Sequence, residues 1–180
     1  AAWTYNHLIG GKRRKRWTSG KLRRTRYSMG VFVWYFGTKC RYATVPHHSM
    51  ILGPRYKGLL ADIFWRKKLS SDFSLYLHRP TATDISMAPE GCDTFYALVP
   101  VPHLDSGTDW ETFGPSFREQ VQERLEATVL PGLGNNLACS HYVTPKDFEE
   151  RFNSYKGAGF GPEPVIWQSA WFRAHNSSEE

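Results

Sequence analysis

Apolar and aromatic positions fall along the chain in short, separable blocks. Val31-Phe32-Val33-Trp34-Tyr35-Phe36 is an unbroken β-branched and aromatic run between Gly30 and Gly37, which predicts a strand buried on both faces. Phe73-Ser74-Leu75-Tyr76-Leu77-His78 begins with period-two alternation and is closed by Pro80, while Thr94-Phe95-Tyr96-Ala97-Leu98-Val99 is closed by Pro100 and Pro102. Both predict strands. Three other segments carry helical spacing. Leu59, Leu60, Ile63 and Phe64 follow Pro54, and Phe117, Val121, Leu125 and Val129 run at four-residue intervals from Pro115 to Pro131-Gly132. In each case proline is expected in the first turn. Thr144-Pro145-Lys146-Asp147 approximates a capping box for a helix presenting Phe148, Phe152 and Tyr155 and stopped by Gly157. The order is strand, helix, strand, strand, helix, helix, then an aromatic tail. Lacking βαβ alternation, it predicts an α+β fold.

Composition narrows the class. The 180 residues are 41% hydrophobic and include 27 aromatic side chains, too many for a solvated, disordered chain. No 18-residue apolar run is present to span a bilayer. Cys40, Cys92 and Cys139 are odd in number and widely spaced, which suggests neither a disulfide framework nor a CxxC zinc site and fits a reducing compartment. Residue 1 is Ala, and residues 1–30 lack the apolar core of a secretory signal; a piece of a longer protein is expected.

The net charge of +6 hides an asymmetry. Residues 1–61 hold 13 Lys and Arg and no acid, whereas residues 62–180 hold 10 basic and 17 acidic side chains, so the two parts carry +13 and −7. Lys12 to Arg16, with Lys21, Arg23, Arg24 and Arg26, interleave with Trp17 and Tyr27. Such a run binds nucleic acid or anionic lipid, or is simply a solvated arm. Arg55, Lys57, Arg66, Lys67 and Lys68 beside Trp65 give the first predicted helix a similar choice between a membrane surface and its own core.

Chemical motifs are sparse. Gly157-Ala158-Gly159-Phe160-Gly161-Pro162 fails as a dinucleotide fingerprint, because its third glycine falls at Pro162 and a helix precedes it. His47 and His48 are adjacent, and neighbours in a strand point to opposite faces, so they are expected to serve structure and no metal site is expected. His78 with Arg79, and His103, stand at strand ends, where site residues often sit. No carboxylate pair stands out as acid and base.

The segment from Asp72-Phe73-Ser74-Leu75-Tyr76-Leu77-His78-Arg79-Pro80-Thr81-Ala82-Thr83-Asp84 through Ala88-Pro89-Glu90-Gly91-Cys92-Asp93 to Val99-Pro100-Val101-Pro102-His103-Leu104 resembles the bacterial-type phytoene desaturases, FAD-dependent carotenoid desaturases. The resemblance extends back through Tyr35-Phe36-Gly37, His47-His48 and Leu52-Gly53-Pro54-Arg55-Tyr56, and forward through Pro131-Gly132-Leu133, Thr144-Pro145-Lys146-Asp147-Phe148 and Gln168-Ser169-Ala170-Trp171-Phe172-Arg173. The family's two glycine-rich flavin segments have no counterpart here, so the chain resembles the middle third only. Trp34 and Trp167 stand where the family carries smaller apolar residues.

What this resemblance implies is an internal piece, inactive alone, of an enzyme that dehydrogenates phytoene towards lycopene with FAD. The implied fold is a mixed β-sheet with covering helices, the substrate domain of an amine-oxidase-like flavoenzyme. Residues 1–30 would be a basic, aromatic-interleaved flank, 31–164 the substrate-binding domain, and 165–180 a segment leading back towards the FAD domain. Trp171, Phe172, Arg173, His175, Asn176, His78 and Arg79 become the candidates for the cofactor or the substrate channel. Arg13, Arg14, Trp17, Arg23, Arg24 and Trp65 become those for a membrane surface, with the protein cytoplasmic and peripherally membrane-associated. No catalytic residue is assigned. The implied partners are a long-chain carotenoid hydrocarbon and the bilayer, with no nucleic acid. The alternatives are a diapophytoene desaturase, an isomerase or a ketolase, and, from a different class, a basic module that binds nucleic acid or a membrane surface.

Overall fold

The computed structural model describes residues 2–9 and 14–172. Five strands form one sheet in the order β2-β3-β4-β1-β5: β1 Gly30–Thr38, β2 His48–Ile51, β3 Leu75–His78, β4 Asp93–Val101 and β5 Leu137–Val143. The helices are α1 Ala2–His7, α2 Ser19–Arg24, α3 Tyr56–Ala61, α4 Trp110–Glu126, α5 Leu133–Asn136 and α6 Pro145–Phe152. All four strand pairings are antiparallel, so the α+β expectation holds, while the mixed sheet is corrected to an antiparallel one.

β1 lies inside the sheet, between β4 and β5, because its run of apolar side chains suits a strand flanked on both edges; Trp34 sits opposite Ala97 of β4 and Tyr142 of β5. Alternation then sorts its side chains. Phe32, Trp34 and Phe36 point one way, with Phe95, Ala97, Val99 and Val101 of β4 and Leu75 and Leu77 of β3, and all of these are buried. Phe117, Val121 and Leu125 on one face of α4 pack against them, as does Trp110. Phe32 meets Phe117 edge-on at 5.1 Å between centroids, and Trp34 stacks on Phe36. The Trp34 indole N–H donates to Ser140 Oγ at 2.7 Å, so this residue fills the core.

α4 begins five residues before Pro115, because Asp109 caps it by accepting from the amides of Glu111 and Thr112. Pro115 therefore sits inside the helix, in its second turn, and Val129 lies beyond its end. The capping box of α6 forms as read: Thr144 accepts from the Asp147 amide, and the Asp147 carboxylate accepts from the Thr144 amide. Asn153, at φ 55°, ends α6 before Gly157 is reached. Phe152 is exposed rather than in the core. α3 starts at Tyr56, two residues after Pro54, and continues into a π-helical turn, Asp62–Arg66.

Two edge strands, β2 and β5, were not legible in the sequence. His48-Ser49-Met50-Ile51 is short, and the interior of Leu137-Ala138-Cys139-Ser140-His141-Tyr142-Val143 is small or polar, so neither has a strong apolar period. Pairing with β3 and β1 makes them strands.

A buried polar knot ties the end of β3 to the start of β4. The Arg79 guanidinium donates to both oxygens of Asp93, at 2.9 and 3.1 Å, and to the Val45 carbonyl at 2.8 Å. Thr81 Oγ1 and the Tyr42 amide also donate to Asp93, each at 2.7 Å. Burial alone would raise the Asp93 carboxyl, but hydrogen bonds from Arg79, Thr81 and the Tyr42 amide hold it below the usual carboxylate range.

Arg79→Ala removes the hydrogen-bonded counter-charge of buried Asp93, leaving only the half-exposed Arg41 at 3.8 Å, and is expected to lower the unfolding free energy by about 3 kcal/mol in guanidinium titrations; a loss under about 1 kcal/mol would refute this role. Because the folded pKa of Asp93 is depressed, its contribution is complete above the unfolded carboxylate value of about 3.9 and is lost as pH falls through the folded value. Stability measured against pH should drop on acidification through that window, less steeply in Asp93→Asn.

Candidate functional site

The face of the sheet away from α4 is only partly covered. At one end, Val31 and Val33 are buried. There the stretch after α6 runs against β1: Ala158 bridges Gly30, and the Gly159 amide donates to the Met29 carbonyl. A Cβ on Gly157, at φ +63°, would lie 2.3 Å from the Pro145 carbonyl oxygen, so only glycine allows this approach. Gly157 and Gly159 thus serve close packing, against Pro145 and the Val31 side chain.

Beyond that end the face is aromatic and accessible. Tyr35 is 47% exposed and Met50 69%; Tyr76, His78, Tyr96 and Leu98 are half-buried. The register explains the grouping, since Tyr35 sits opposite Tyr96, Tyr76 opposite Leu98 and Met50, and His78 opposite Tyr96 and His48. Ring centroids are 5.8 Å apart for Tyr35–Tyr96, 5.7 Å for Tyr76–Tyr96 and 4.8 Å for His78–Tyr96. Burial, and then the facing His47 and His48 rings, push the His78 pKa below its ordinary value.

A second concave region lies where α1, α2 and Tyr27 meet the stretch 162–172. Tyr27 bridges Pro162, Arg26 pairs with Glu163 at 2.6 Å, and the Gln168 side chain bonds the Arg26 amide and carbonyl, each at 2.9 Å. The groove so formed, about 760 Å³, is lined by Tyr5, Trp17, Leu22, Tyr27, Trp167, Trp171 and Phe172, with Arg16, Lys21 and Arg24 among them. Tyr5, Leu22 and Tyr27 are buried, whereas Trp167, Trp171 and Phe172 stand exposed. Lys21 lies 4.0 Å over the Trp17 ring, a cation–π contact. Burial, with Tyr155 adding to it, raises the Tyr27 hydroxyl to about 12, so it stays a neutral donor to the Leu22 carbonyl.

The residues singled out in the sequence therefore separate. Trp171 and Phe172 share the groove with Trp17 and Arg24, which joins the channel candidates to the membrane-surface ones. Arg23 is exposed on α2. Arg14 turns inward and donates to Asn6, Ser19 and the Trp17 carbonyl, tying α1 to α2. Trp65 is exposed, but Arg55 and Arg66 beside it pair with Asp62, Arg55 also with Asp72, and Lys67 pairs with Asp105. His78 lies on the open face. Arg79, the next residue, points to the opposite side and is spent on Asp93, so its place as a channel candidate is corrected to a structural one. Arg13, Arg173, His175 and Asn176 lie outside the described residues. Tyr35, Tyr76 and Tyr96 were missed as a group because only the strand register brings them together. His47 was misread: it precedes β2, so strand alternation does not separate it from His48.

Gln168→Ala removes both bonds to Arg26. It is expected to speed hydrogen exchange at the Arg26 amide and proteolytic cleavage within 162–172, with exchange in β1 unchanged; unaltered exchange at Arg26 would show that the strap does not depend on Gln168.

No family model matches the chain. Among curated proteins, it is 50% identical over its whole length to a neurosporene-forming phytoene desaturase of Cereibacter sphaeroides, covering 36% of that protein. It is 44% identical over 96% of its length to a lycopene-forming phytoene desaturase of Pantoea ananas, covering 35% of it, and 34% identical over 99% of its length to a 4,4'-diapophytoene desaturase of a Methylomonas species, again covering 35%. The chain thus spans about a third of the length of the relatives it matches, and along that third it belongs with the bacterial-type phytoene desaturases.

Proposed function

We propose that this chain is the substrate-holding part of an FAD-dependent phytoene desaturase, an oxidoreductase acting on CH–CH bonds that takes phytoene towards lycopene. The observation that carries this reading is the half-covered sheet, whose accessible face is built from Tyr35, Tyr76, Tyr96, Leu98 and Met50. Phytoene is a hydrocarbon with no hydrogen-bonding group, so its recognition depends on area buried against aromatic and aliphatic walls, at about 25 cal/mol per Å². A wall of rings held rigid by a strand register suits that task better than flexible loops do.

FAD is the cofactor of this reading, and the described residues do not fit it. Of the two Gly-x-Gly stretches, the one at Gly157 packs on β1 and follows a helix, the one at Gly132 opens the single-turn α5 after α4, with Gly134 facing the Gln122 and Glu126 side chains, and the long groove is lined by bulky rings. The flavin would be held by parts of the longer enzyme outside these 180 residues, and the chain alone would be inactive.

No described helix is long and apolar enough to cross a membrane. A hydrocarbon substrate resides in the bilayer, and Trp17, Arg23 and Arg24 on one side and Trp65 on another supply the aromatic and basic contacts of a cytoplasmic, peripheral protein. The exposed Trp167, Trp171 and Phe172 also offer a seam for the remainder of the enzyme, since contiguous apolar surface of this kind marks an interface.

Grafting residues 1–180 in place of the matching third of the Cereibacter sphaeroides relative tests this reading. In cells making phytoene, the chimaera is expected to yield coloured desaturated carotenoids, and Tyr96→Ala to reduce that yield. A folded, flavin-loaded chimaera that leaves phytoene unchanged would overturn it, and preference for 4,4'-diapophytoene would reassign the substrate.

A further inference from the structure

His47, His48 and His78 each place one ring nitrogen so that all three lie within 4.8 Å of one another. Three imidazoles suit zinc, copper or nickel rather than calcium or magnesium. We propose that these histidines bind one divalent transition-metal ion of the Zn²⁺ class, clamping the edge strand β2 and the turn before it onto β3. The inference does not rest on the substrate reading.

The hydrogen bonding around the cluster favours ligation. Thr83 Oγ1 lies 2.8 Å from His47 Nδ1 and 3.2 Å from the Pro80 carbonyl, a position from which it can donate to Pro80 while accepting from His47 Nδ1–H. In that tautomer His47 Nε2 is a lone pair available to a metal ion. Metal-binding histidines are held in the same way by a partner on the other nitrogen. His48 Nδ1 is engaged by the Tyr76 hydroxyl, which leaves its Nε2 open.

His78 supplies the second, independent sign. Its Nε2 lies 2.6 Å from His47 Nε2, and with His47 protonated on Nδ1 the donor of this pair is His78 Nε2. Its Nδ1 is then a buried lone pair with no partner. Either tautomer of His78 leaves one ring nitrogen poorly matched. A cation between the two Nε2 atoms replaces the shared proton and lets both lone pairs face one positive charge, with the His78 proton moved to Nδ1. Zinc–nitrogen bonds of about 2.0–2.1 Å in tetrahedral geometry set ligand nitrogens about 3.3 Å apart, so the His47–His78 contact has to widen by less than about 1 Å. His48 stands exposed at the sheet edge, giving an entry path.

The test is titration of the untagged 180-residue chain with Zn²⁺ by calorimetry and with Co²⁺ by visible absorption, with histidine ring resonances followed by NMR. One ion per chain is expected, with tetrahedral-type Co²⁺ bands and shifts confined to His47, His48 and His78. Thr83→Val should weaken binding about tenfold, Thr83→Ser should preserve it, and His48→Ala should weaken it further. Thr83 and His48 are both exposed, so these variants should fold, as circular dichroism would verify. His141→Ala, on β5, should change nothing. Absence of binding up to about 1 mM Zn²⁺, or binding undiminished by His48→Ala, would overturn the proposal.

Discussion

Side-chain alternation in an antiparallel sheet, combined with a cover on only one face, sets the rest of this protein's properties. Phe32, Trp34, Phe36, Phe95, Ala97, Val99, Leu75 and Leu77 face α4 and are sealed from water. The residues between them, Tyr35, Tyr96, Leu98, Tyr76 and His78, are sent to the opposite side, where the stretch after α6 covers only the end near Val31 and Val33. A strand that turns one set of side chains to one face turns the alternate set to the other, and here nothing seals that second face beyond Val31 and Val33. The chain uses rings at the presented positions, and with them the face acquires large apolar area in fixed positions.

Holding that face in register requires a firm corner between β3 and β4, and a buried charge pair supplies it. Replacing such a pair with apolar residues is often neutral, so Arg79 and Asp93 are better understood as fixing geometry than as adding stability. Asp93 accepts four hydrogen bonds, from Arg79 twice, Thr81 and the Tyr42 amide, and so joins three separate chain segments. The turn carrying His47 is fixed by the same knot, because the Arg79 guanidinium also holds the Val45 carbonyl and the Arg79 amide donates to His47. The polar knot in the core and the histidine cluster on the open face are thus two ends of one corner.

The central strands and the three main helices were readable because their signals are local: a β-branched aromatic run at 31–36, four-residue spacing at 117–125, a capping box at 144–147. β2 and β5 were not, because each is an edge strand whose state is decided by its neighbour. The start of α4 was misplaced at Pro115, since the Asp109 cap outweighs the single backbone bond that a second-turn proline removes. The tyrosine face could not be read at all without the register that sets Tyr35 beside Tyr96. Arg79 looked like a site residue because it follows a strand end; its burial depends on Asp93, fourteen residues away. The family resemblance, by contrast, was legible in short motifs, whose residues are spread between the sealed face, the open face and the terminal groove.

The most direct test of the central claim is photo-crosslinking of a long-chain hydrocarbon diazirine to the grafted desaturase in membranes, with adducts located by mass spectrometry. Adducts on Tyr35, Tyr76, Tyr96, Leu98 or Met50, displaced by phytoene, are the predicted result. Adducts that avoid this face, or that phytoene fails to displace, would contradict the account.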